Sequence, residues 1–412
     1  MARILLTALG SYGDLHPYLA LGVELRRRGH QVTLATSAGY AAKVRTEELD
    51  FIAVRPDISL ADSAMLSYVM DARRGTERVV RFLGSLIRES YQDTLAAVKQ
   101  ADLMVTHPIT FGAVLAAQKV GVPWVSSVLA PFSFFSAYDP PIPAAAPWMV
   151  KLRALGPVAM RWTRALAKHY SFSWIRPVQE LRQELGLNTG SHPLFEGQHA
   201  PRLVLALFSK CMAERQRDWP PQTVVTGFPF YEERQGISPE LEHFLGDGAA
   251  PLVFSLGSSA VGAAGDFHTV SLQAARRLGM RALFLTGPHA HGLPPDAMAV
   301  EYAPHSEVFP RAAAIVHHGG IGTTAQAMRG GRPMLVVPFA HDQFDNGARV
   351  KKLGIAEVLY RSSYNARSAE RLLRRLVEDS RYAQAAAATA GLVRAENGVK
   401  EAADAIDAVL EA

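Results

Sequence analysis

The stretch Val316-His317-His318-Gly319-Gly320-Ile321-Gly322-Thr323-Thr324 joins an apolar run to a segment with helical composition. Such a strand–loop–helix directs free backbone N–H groups and the positive end of the helix dipole at one place, which suits a phosphate. The glycines let a bulky anion approach the backbone closely. His318 and the threonine hydroxyls add side-chain donors. The stretch therefore predicts a phosphate site at the start of a helix.

A second polar cluster, His341-Asp342-Gln343-Phe344-Asp345-Asn346, follows the next apolar run, 334–339. The carboxyl ends of neighbouring parallel strands open into the same crevice of an α/β sheet. The two clusters are therefore expected to face one ligand. The alternative for Asp342 is an ordinary helix cap.

The whole chain alternates strand-like and helix-like segments. It has 412 residues, of which 49% are hydrophobic, enough for two or three domains with sizeable cores. Such alternation in both halves predicts an α/β fold of two doubly wound parallel sheets with helices on both faces. The predicted strands are 3–9, 31–36, 51–54, 103–105, 124–128, 203–208 and 223–225, then 252–256, 282–285, 299–302, 314–316 and 334–337. Predicted helices include 17–28 and 111–120.

The domain boundaries follow from composition. Residues 1–228 form the first predicted domain and residues 251–390 the second. Residues 229–250, rich in Glu, Gly and Pro, form the predicted linker. Residues 391–412 are predicted to form a C-terminal helix that packs back on the first domain.

Charge and cysteine content narrow the class of protein. The net charge of +5 is spread over short, separated basic pairs, which is typical of solvated helix faces and not of a nucleic-acid surface. The mild excess favours an anionic small molecule or weak contact with a membrane surface. Cys211 is the single cysteine, so an intrachain disulfide is impossible, and a cytoplasmic protein is expected. We expect neither a signal peptide nor a transmembrane segment, and we expect a monomer or homodimer.

The segment 140–176 differs from its surroundings, with several prolines, three tryptophans and spaced arginines. We interpret it as one or two helices beside a loop, forming either a wall for an apolar ligand or packed helices of the first domain. Here and just before it we predict acceptor-site residues. These are Phe132, Phe134, Phe135 and Trp148.

The combined motifs resemble a known family. They are Gly10-Ser11-Tyr12-Gly13-Asp14-Leu15-His16-Pro17, Asp218-Trp219-Pro220, Thr226-Gly227-Phe228-Pro229, Tyr302-Ala303-Pro304, the His318 loop, and Asp342-Gln343 with Asn346. With these motifs the chain resembles the inverting nucleotide-sugar glycosyltransferases of the GT-B fold, family 1. Within that family it is similar to bacterial rhamnosyltransferase and sterol 3-β-glucosyltransferase members. The fold implied is two Rossmann-like domains facing across a cleft.

The resemblance assigns donor-binding roles. It places His318 on the diphosphate, Asp342 and Gln343 on the sugar hydroxyls, and Tyr302 against the base. The full implied donor set is Gly13, Ser258, Tyr302, Ala303, His318, Gly320, Gly322, Thr323, Gln326, Asp342 and Gln343. Gln326 departs from the motif of the plant members, which have a glutamate there for the ribose hydroxyls. An amide hydrogen-bonds a diol without charge assistance. The nucleobase and the sugar of the donor therefore stay open. The donor is a UDP- or dTDP-sugar, with UDP-glucose favoured.

The catalytic base is expected in the turn after the first strand. Asp14 stands where many relatives carry a histidine, and it is the first candidate to take the acceptor proton. His16 is the rival, and His107 would pair with Asp14 in a reversed dyad. The alternatives are a helix cap for Asp14 and a structural role for His107.

The remaining expectations concern metal and competing functions. The sequence has no Asp-x-Asp triplet and no Cys/His ligand spacing, so we expect neither a metal nor another cofactor. The main hypothesis is transfer of a hexose to a hydroxyl of a small hydrophobic acceptor: a terpenoid, sterol, phenolic or hydroxy-fatty acid. The alternatives are a non-catalytic nucleotide-sugar-binding protein and a GT-B-fold epimerase. An NAD-dependent oxidoreductase is disfavoured because no Gly-x-Gly-x-x-Gly follows the first strand.

Overall fold

The computed structural model of the chain describes residues 1–57, 62–233, 236–285 and 293–412. The strands there are β1 (Arg3–Thr7), β2 (Gln31–Thr36), β3 (Asp50–Ala53), β4 (Leu103–Thr106), β5 (Trp124–Val128), β6 (Val204–Ala206), β7 (Thr223–Val225), β8 (Leu252–Ser255), β9 (Ala282–Leu285), β10 (Ala297–Val300), β11 (Ala314–His317), β12 (Met334–Val336) and β13 (Ala356–Val358). The helices are α1 (Tyr12–Arg27), α2 (Ala41–Thr46), α3 (Ser63–Val69), α4 (Gly75–Ser85), α5 (Ile87–Val98), α6 (Phe111–Val120), α7 (Gly156–Ser171), α8 (Arg176–Glu184), α9 (Pro239–Gly246), α10 (Gly257–Ala260), α11 (Phe267–Arg277), α12 (His305–Val308), α13 (Ile321–Gly330), α14 (Gln343–Lys352), α15 (Ala366–Glu378), α16 (Ser380–Ala395) and α17 (Gly398–Glu411).

The strands form two parallel sheets, one in each half of the chain. The first has the order β3-β2-β1-β4-β5-β6-β7 and the second β10-β9-β8-β11-β12-β13. In both sheets the chain starts in the middle and winds outward in two directions. This confirms the predicted fold class of two doubly wound domains.

Each sheet is buried on both faces, which explains its apolar strands. Strand β1 carries Ile4, Leu5 and Leu6, all 2% exposed or less; Ile4 and Leu6 belong to one core cluster and Leu5 to another. The side chains of β8 also belong to two core clusters, Val253 to one and Leu252 and Phe254 to the other. The carboxyl ends of the strands are therefore the part of each sheet left free to hold polar side chains.

Two segments lie outside the sheets. Residues 229–250 contain α9, whose cap Ser238 accepts a hydrogen bond from the Leu241 N–H; residues 234–235 lie outside the described part. The segment 140–176 contains a 3-10 stretch, Pro147–Leu155, and then α7.

The last helix, α17, lies against the first domain. Ala402, Ala403 and Ile406 are fully buried in one cluster with residues of β1 and α1. Arg28 at the end of α1 forms an ion pair of 2.7 Å with Asp407. The chain thus crosses back to its first domain after completing the second.

Candidate active site

A cavity of about 930 Å³ lies between the two domains, at the carboxyl ends of both sheets. Its wall includes the turns after β1, β4, β8, β11 and β12. All the predicted donor and base residues line it, as do two of the predicted acceptor residues: Gly13, Asp14, His16, His107, Phe132, Phe135, Ser258, Tyr302, Ala303, His318, Gly320, Gly322, Thr323, Gln326, Asp342 and Gln343.

The His318 loop has the predicted strand–turn–helix form. Strand β11 ends at His317, and α13 begins at Ile321 with Gly320 as its cap. The ring Nδ1 of His317 accepts the Gly319 N–H at 3.1 Å, which holds the turn. His318 is 3% exposed, and burial lowers its pKa to about 3, so its imidazole is neutral. A neutral ring can donate one hydrogen bond to an anion beside the helix N-terminus.

Glycines allow the turns after β1, β8 and β11 to approach one another closely. A Cβ on Gly257, whose φ is +61°, would lie 2.7 Å from His318 Cε1. A Cβ on Gly322 would lie 3.2 Å from Gly13 Cα in the other domain. The Tyr12 N–H also donates to Ser258 Oγ across the cleft at 3.2 Å. The first turns of α1 and α13 therefore meet at the cavity, and both bring positive dipole ends to it.

Asp14 and His107 form a pair in the first domain, with His107 buried and Asp14 partly exposed. His107 Nε2 lies 3.3 Å from Asp14 Oδ1, and His107 Nδ1 accepts the Ile109 N–H at 3.4 Å. This arrangement puts the ring proton on Nε2, which donates to the carboxylate. Asp14 Oδ2 accepts from the Ser11 N–H at 2.8 Å and the Ser11 hydroxyl at 3.0 Å. Burial raises the pKa of Asp14, but the bonds from His107 and Ser11 outweigh it and leave this pKa below its usual value.

His16 faces a different set of partners. Its ring makes tilted contacts with the rings of Tyr12 and Tyr231, and its Nε2 lies 3.6 Å from Glu233 Oε1. Burial and the nearby Lys43 lower the pKa of His16 to about 3. His16 is thus a neutral ring on the linker side of the cavity, away from the Asp14–His107 pair.

Glu233 is a site residue that sequence reasoning missed. Its carboxylate pairs with Lys43, accepts a hydrogen bond from the Tyr302 hydroxyl and lies beside His16. It joins the linker to both domains where Tyr302 lines the cavity. Because its neighbours come from distant parts of the chain, a glutamate in a charged linker gives no signal of this role.

Tyr302, Ala303 and Gln326 line the part of the cavity where the family resemblance implies the nucleobase and ribose of a donor. Tyr302 is 49% exposed, whereas Ala303 is buried. The Gln326 Oε1 atom is buried, and no described residue donates to it. A buried amide oxygen without a partner is a ready acceptor for a ligand hydroxyl.

The second polar cluster is tied to the His318 loop by Asn346. The Asn346 amide donates to Gly319 O at 3.0 Å and to Asp342 Oδ2 at 2.7 Å. Burial raises the pKa of Asp342 to about 7. Gln343 Oε1 accepts the N–H groups of Phe339 at 2.8 Å and Ala340 at 3.0 Å. The Gln343 amide nitrogen donates to Met70 Sδ at 3.8 Å, so its second N–H is left as a donor to a ligand.

Two predicted acceptor residues lie elsewhere. Phe134 is 3% exposed and stacks on Trp219 at 3.9 Å, in the core. Phe132 and Phe135, on either side of Phe134 in the sequence, line the cavity instead. Trp148 is 62% exposed on the outer surface and is not part of the cavity wall. Both assignments are corrected accordingly.

Among the described residues, no three His, Cys, Asp or Glu side chains are arranged to hold a metal ion. Within the same ranges, no helix has the length and apolar character needed to cross a membrane.

Two family models match the chain. The glycosyltransferase family 28 N-terminal domain matches residues 4–125, and the erythromycin biosynthesis protein CIII-like C-terminal domain matches residues 285–409. These matches fall on the domain that contains Asp14 and the domain that contains His318, respectively.

Curated relatives share most of the sequence. The chain is 34% identical over 414 residues to O-mycaminosyltylonolide 6-deoxyallosyltransferase of Streptomyces fradiae, covering 97% of this chain and 96% of that protein. It is 30% identical over 364 residues to glycosyltransferase GtfE of Amycolatopsis orientalis, covering 86% and 85%. It is 26% identical over 421 residues to a sterol 3-beta-glucosyltransferase of Pichia angusta, covering 98% of this chain and 33% of that one.

Solved structures share the fold. The calicheamicin glycosyltransferase CalG4 superposes with a TM-score of 0.73 at 19% identity, covering 100% of this chain and 98% of that one. The spinosyn rhamnosyltransferase SpnG, complexed with thymidine diphosphate, gives 0.69 at 17% identity, covering 99% and 100%. With the two facing parallel-sheet domains and the identity to the S. fradiae enzyme, these findings confirm the resemblance noted in the sequence: the chain belongs to the family 1 glycosyltransferases of the GT-B fold.

Proposed function

We propose that this protein transfers a sugar from a UDP- or dTDP-sugar to a hydroxyl of a small hydrophobic acceptor, with inversion at the anomeric carbon. The observation that carries the proposal is the meeting of α1 and α13 at the cavity. It sets a carboxylate, Asp14, beside an anion site built from His318 and the first turn of α13.

The donor diphosphate would lie at the first turn of α13. Backbone N–H groups, the His318 ring and the Thr323 hydroxyl are available there as donors, and the dipole of α1 adds to that of α13. As the sugar–oxygen bond breaks, the diphosphate leaves with the bonding electrons and gains charge. Donors fixed in advance stabilise that charge without reorganisation.

The sugar of the donor would lie against Asp342 and Gln343, and its nucleobase would lie near Tyr302 and Ala303. The unpartnered Gln326 Oε1 supports a hydrogen bond from a ribose hydroxyl. The sequence favours UDP-glucose, whereas the S. fradiae relative is named for a 6-deoxyallose. Hexoses and 6-deoxyhexoses, each on either nucleotide, are therefore the donors to test.

Asp14 is our assigned base. The acceptor oxygen bonds to the anomeric carbon while its proton passes to the Asp14 carboxylate. His107 supports this role because its Nε2–H keeps the carboxylate ionised and oriented. His16 is the weaker candidate because its ring faces Glu233 and Tyr231.

The acceptor would occupy the first-domain end of the cavity. Apolar side chains dominate that wall, and they include the aromatic residues Phe82, Phe132, Phe135, Trp174 and Phe195. An apolar wall of this kind supports a sterol, terpenoid, phenolic or polyketide-like alcohol.

The deciding experiment is a screen of UDP- and dTDP-linked hexoses and 6-deoxyhexoses against a mixed panel of hydrophobic alcohols, read by mass spectrometry. We expect a product heavier by one glycosyl unit, and nucleoside diphosphate released only when an acceptor is present. Donor binding without any product, or epimerised donor without transfer, would instead support one of the two alternative functions.

A further inference from the structure

Seven exposed apolar side chains gather on one surface of the first domain. Ten large apolar or aromatic side chains in the described residues are more than half exposed, and seven of these lie between residues 148 and 172. We call these seven the outer patch: Trp148, Leu155, Val158, Trp162, Leu166, Tyr170 and Phe172. Their exposed fractions run from 53% to 76%. Scattered single exposures are normal in proteins, but such clustering marks an interaction surface.

The centre of the outer patch is one face of α7. Val158, Trp162 and Leu166 recur every four residues on α7, so they form a single stripe, and Leu155 lies just before the helix. The opposite face of α7 holds the buried residue Met160. Helix α7 thus has two apolar faces: one packs on the protein and the other faces outward.

The charges around the stripe identify the partner. Residues 140–179 contain six Lys or Arg and neither Asp nor Glu. Arg153, Lys168 and Arg176 pair with carboxylates from other segments or the following turn. Lys151 and Arg161 form no ion pair with any described residue, whereas Arg164 lies over the Phe195 ring, away from the stripe. An apolar stripe containing Trp with uncompensated cations beside it has the chemistry of an interfacial helix on an anionic lipid surface.

We propose that the outer patch docks this protein on the surface of an anionic phospholipid bilayer, with α7 lying in the interface plane. The patch is continuous with the cavity: Ala167, Tyr170 and Trp174 line the cavity, and Tyr170 also belongs to the patch. Docking therefore turns the acceptor end of the cavity toward the lipid. The proposal rests on the outer surface of the first domain and not on the proposed function.

Cosedimentation with vesicles tests the proposal in the absence of donor and acceptor. We expect the full chain to pellet with vesicles containing phosphatidylglycerol and to stay in solution with pure phosphatidylcholine. Leu166→Ser should weaken binding about tenfold, since burying one leucine contributes about 1.5–3 kcal/mol when complete. Leu392→Ser is the matched control: Leu392 is 62% exposed on α16, compared with 68% for Leu166, and should bind as the parent does.

The charge contribution is tested separately. Lys151→Gln should weaken binding about fivefold, the effect of about 1 kcal/mol per cation at an anionic surface. Lys352→Gln, an exposed cation at the end of α14, should have no effect. The proposal is overturned if the parent protein binds neither vesicle, or if both leucine variants bind alike. It is also overturned if light scattering shows a dimer that Leu166→Ser dissociates, because the patch would then cover a second copy of the chain.

Discussion

Asp14 holds the start of α1 and also faces the cavity. Its Oδ2 is occupied by Ser11, while its Oδ1 accepts from His107 at 3.3 Å. About one third of the side chain remains exposed, so an acceptor hydroxyl can reach it. Its pKa lies below the usual value, because the bonds from His107 and Ser11 outweigh the effect of burial. Asp14 is therefore ionised at neutral pH, as a base must be.

The first prediction concerns this base. Asp14→Asn keeps the side-chain size and can still accept the Ser11 N–H, but it cannot take a proton. We expect kcat to fall by about two to four orders of magnitude, with nucleoside diphosphate binding nearly unchanged. Steady-state kinetics and calorimetric titration measure the two quantities. His16→Ala should have a smaller effect, mostly on acceptor KM. The opposite ranking of the two variants would make His16 the base.

The second prediction concerns Asp342, whose pKa burial raises to about 7. The side chain is protonated below that pH and ionised above it, and an ionised carboxylate accepts sugar hydroxyls more strongly. Donor KM should therefore rise as the pH falls from about 8 to about 6. Asp342→Asn should show a higher KM that is flat over the same window. If the variant keeps the parent pH dependence, the titrating group is a different one.

Residue types at strand ends could be read from the sequence, but the direction of a side chain in an irregular turn could not. His318, Asp342 and Asp14 follow apolar strands, where the fold itself brings them to the cavity. Phe134 and Trp148 were wrong because an aromatic residue suits a core or a surface as well as a ligand site.

Elements were predicted well where periodicity is strong. Helix α6 and strands β2, β5, β7 and β9 have the predicted bounds. Helix α1 begins at Tyr12 and not at Pro17: a proline favours the first helical turn, but here it lies inside the helix. Strand β13 was missed because Glu357 interrupts a short apolar run. This carboxylate is buried and is held by Lys351 and the Tyr382 hydroxyl.

The third prediction tests α13 as an anion site. His318→Ala removes the ring beside the first turn of α13 but leaves its backbone N–H groups in place. We expect turnover at saturating donor to fall about 100-fold or more, the usual effect of losing one fixed donor to a leaving group. Thermal unfolding should show that the variant is folded. Turnover near that of the parent would place the diphosphate elsewhere.

At the scale of the molecule, the cleft depends on contacts between halves that no local pattern specifies. Each sheet could be predicted from its own βαβ alternation. The approach of Gly13 to Gly322, and the bond from Tyr12 to Ser258, join residues more than 240 positions apart. For the same reason, the linker residue Glu233 could not be assigned to the site in advance.

The fourth prediction concerns metal dependence. The N-terminal ends of α1 and α13 supply partial positive charge where the diphosphate is proposed to lie, and the neutral His318 ring adds a hydrogen-bond donor. We therefore expect the rate in excess EDTA to equal the rate in magnesium. A large loss with chelator that magnesium restores would contradict this. It would show that a metal bound with the donor supplies part of the charge.

The fifth prediction tests the return of the chain to its first domain. Ile406 of α17 is fully buried in the cluster that includes Leu21 and Leu25 of α1. Ile406→Ala should lower the free energy of unfolding by about 2–5 kcal/mol, because it removes buried methyl groups and leaves a cavity. Val409→Ala, on the same helix but only half-buried, should cost clearly less. Urea unfolding followed by fluorescence compares the two variants.

Because α17 completes the core behind β1 and α1, the loss should appear in the transition of the first domain, while nucleoside diphosphate still stabilises the second. Equal effects of the two substitutions would mean that α17 does not pack on α1 in solution, and the first domain would then have to be stable without its last helix.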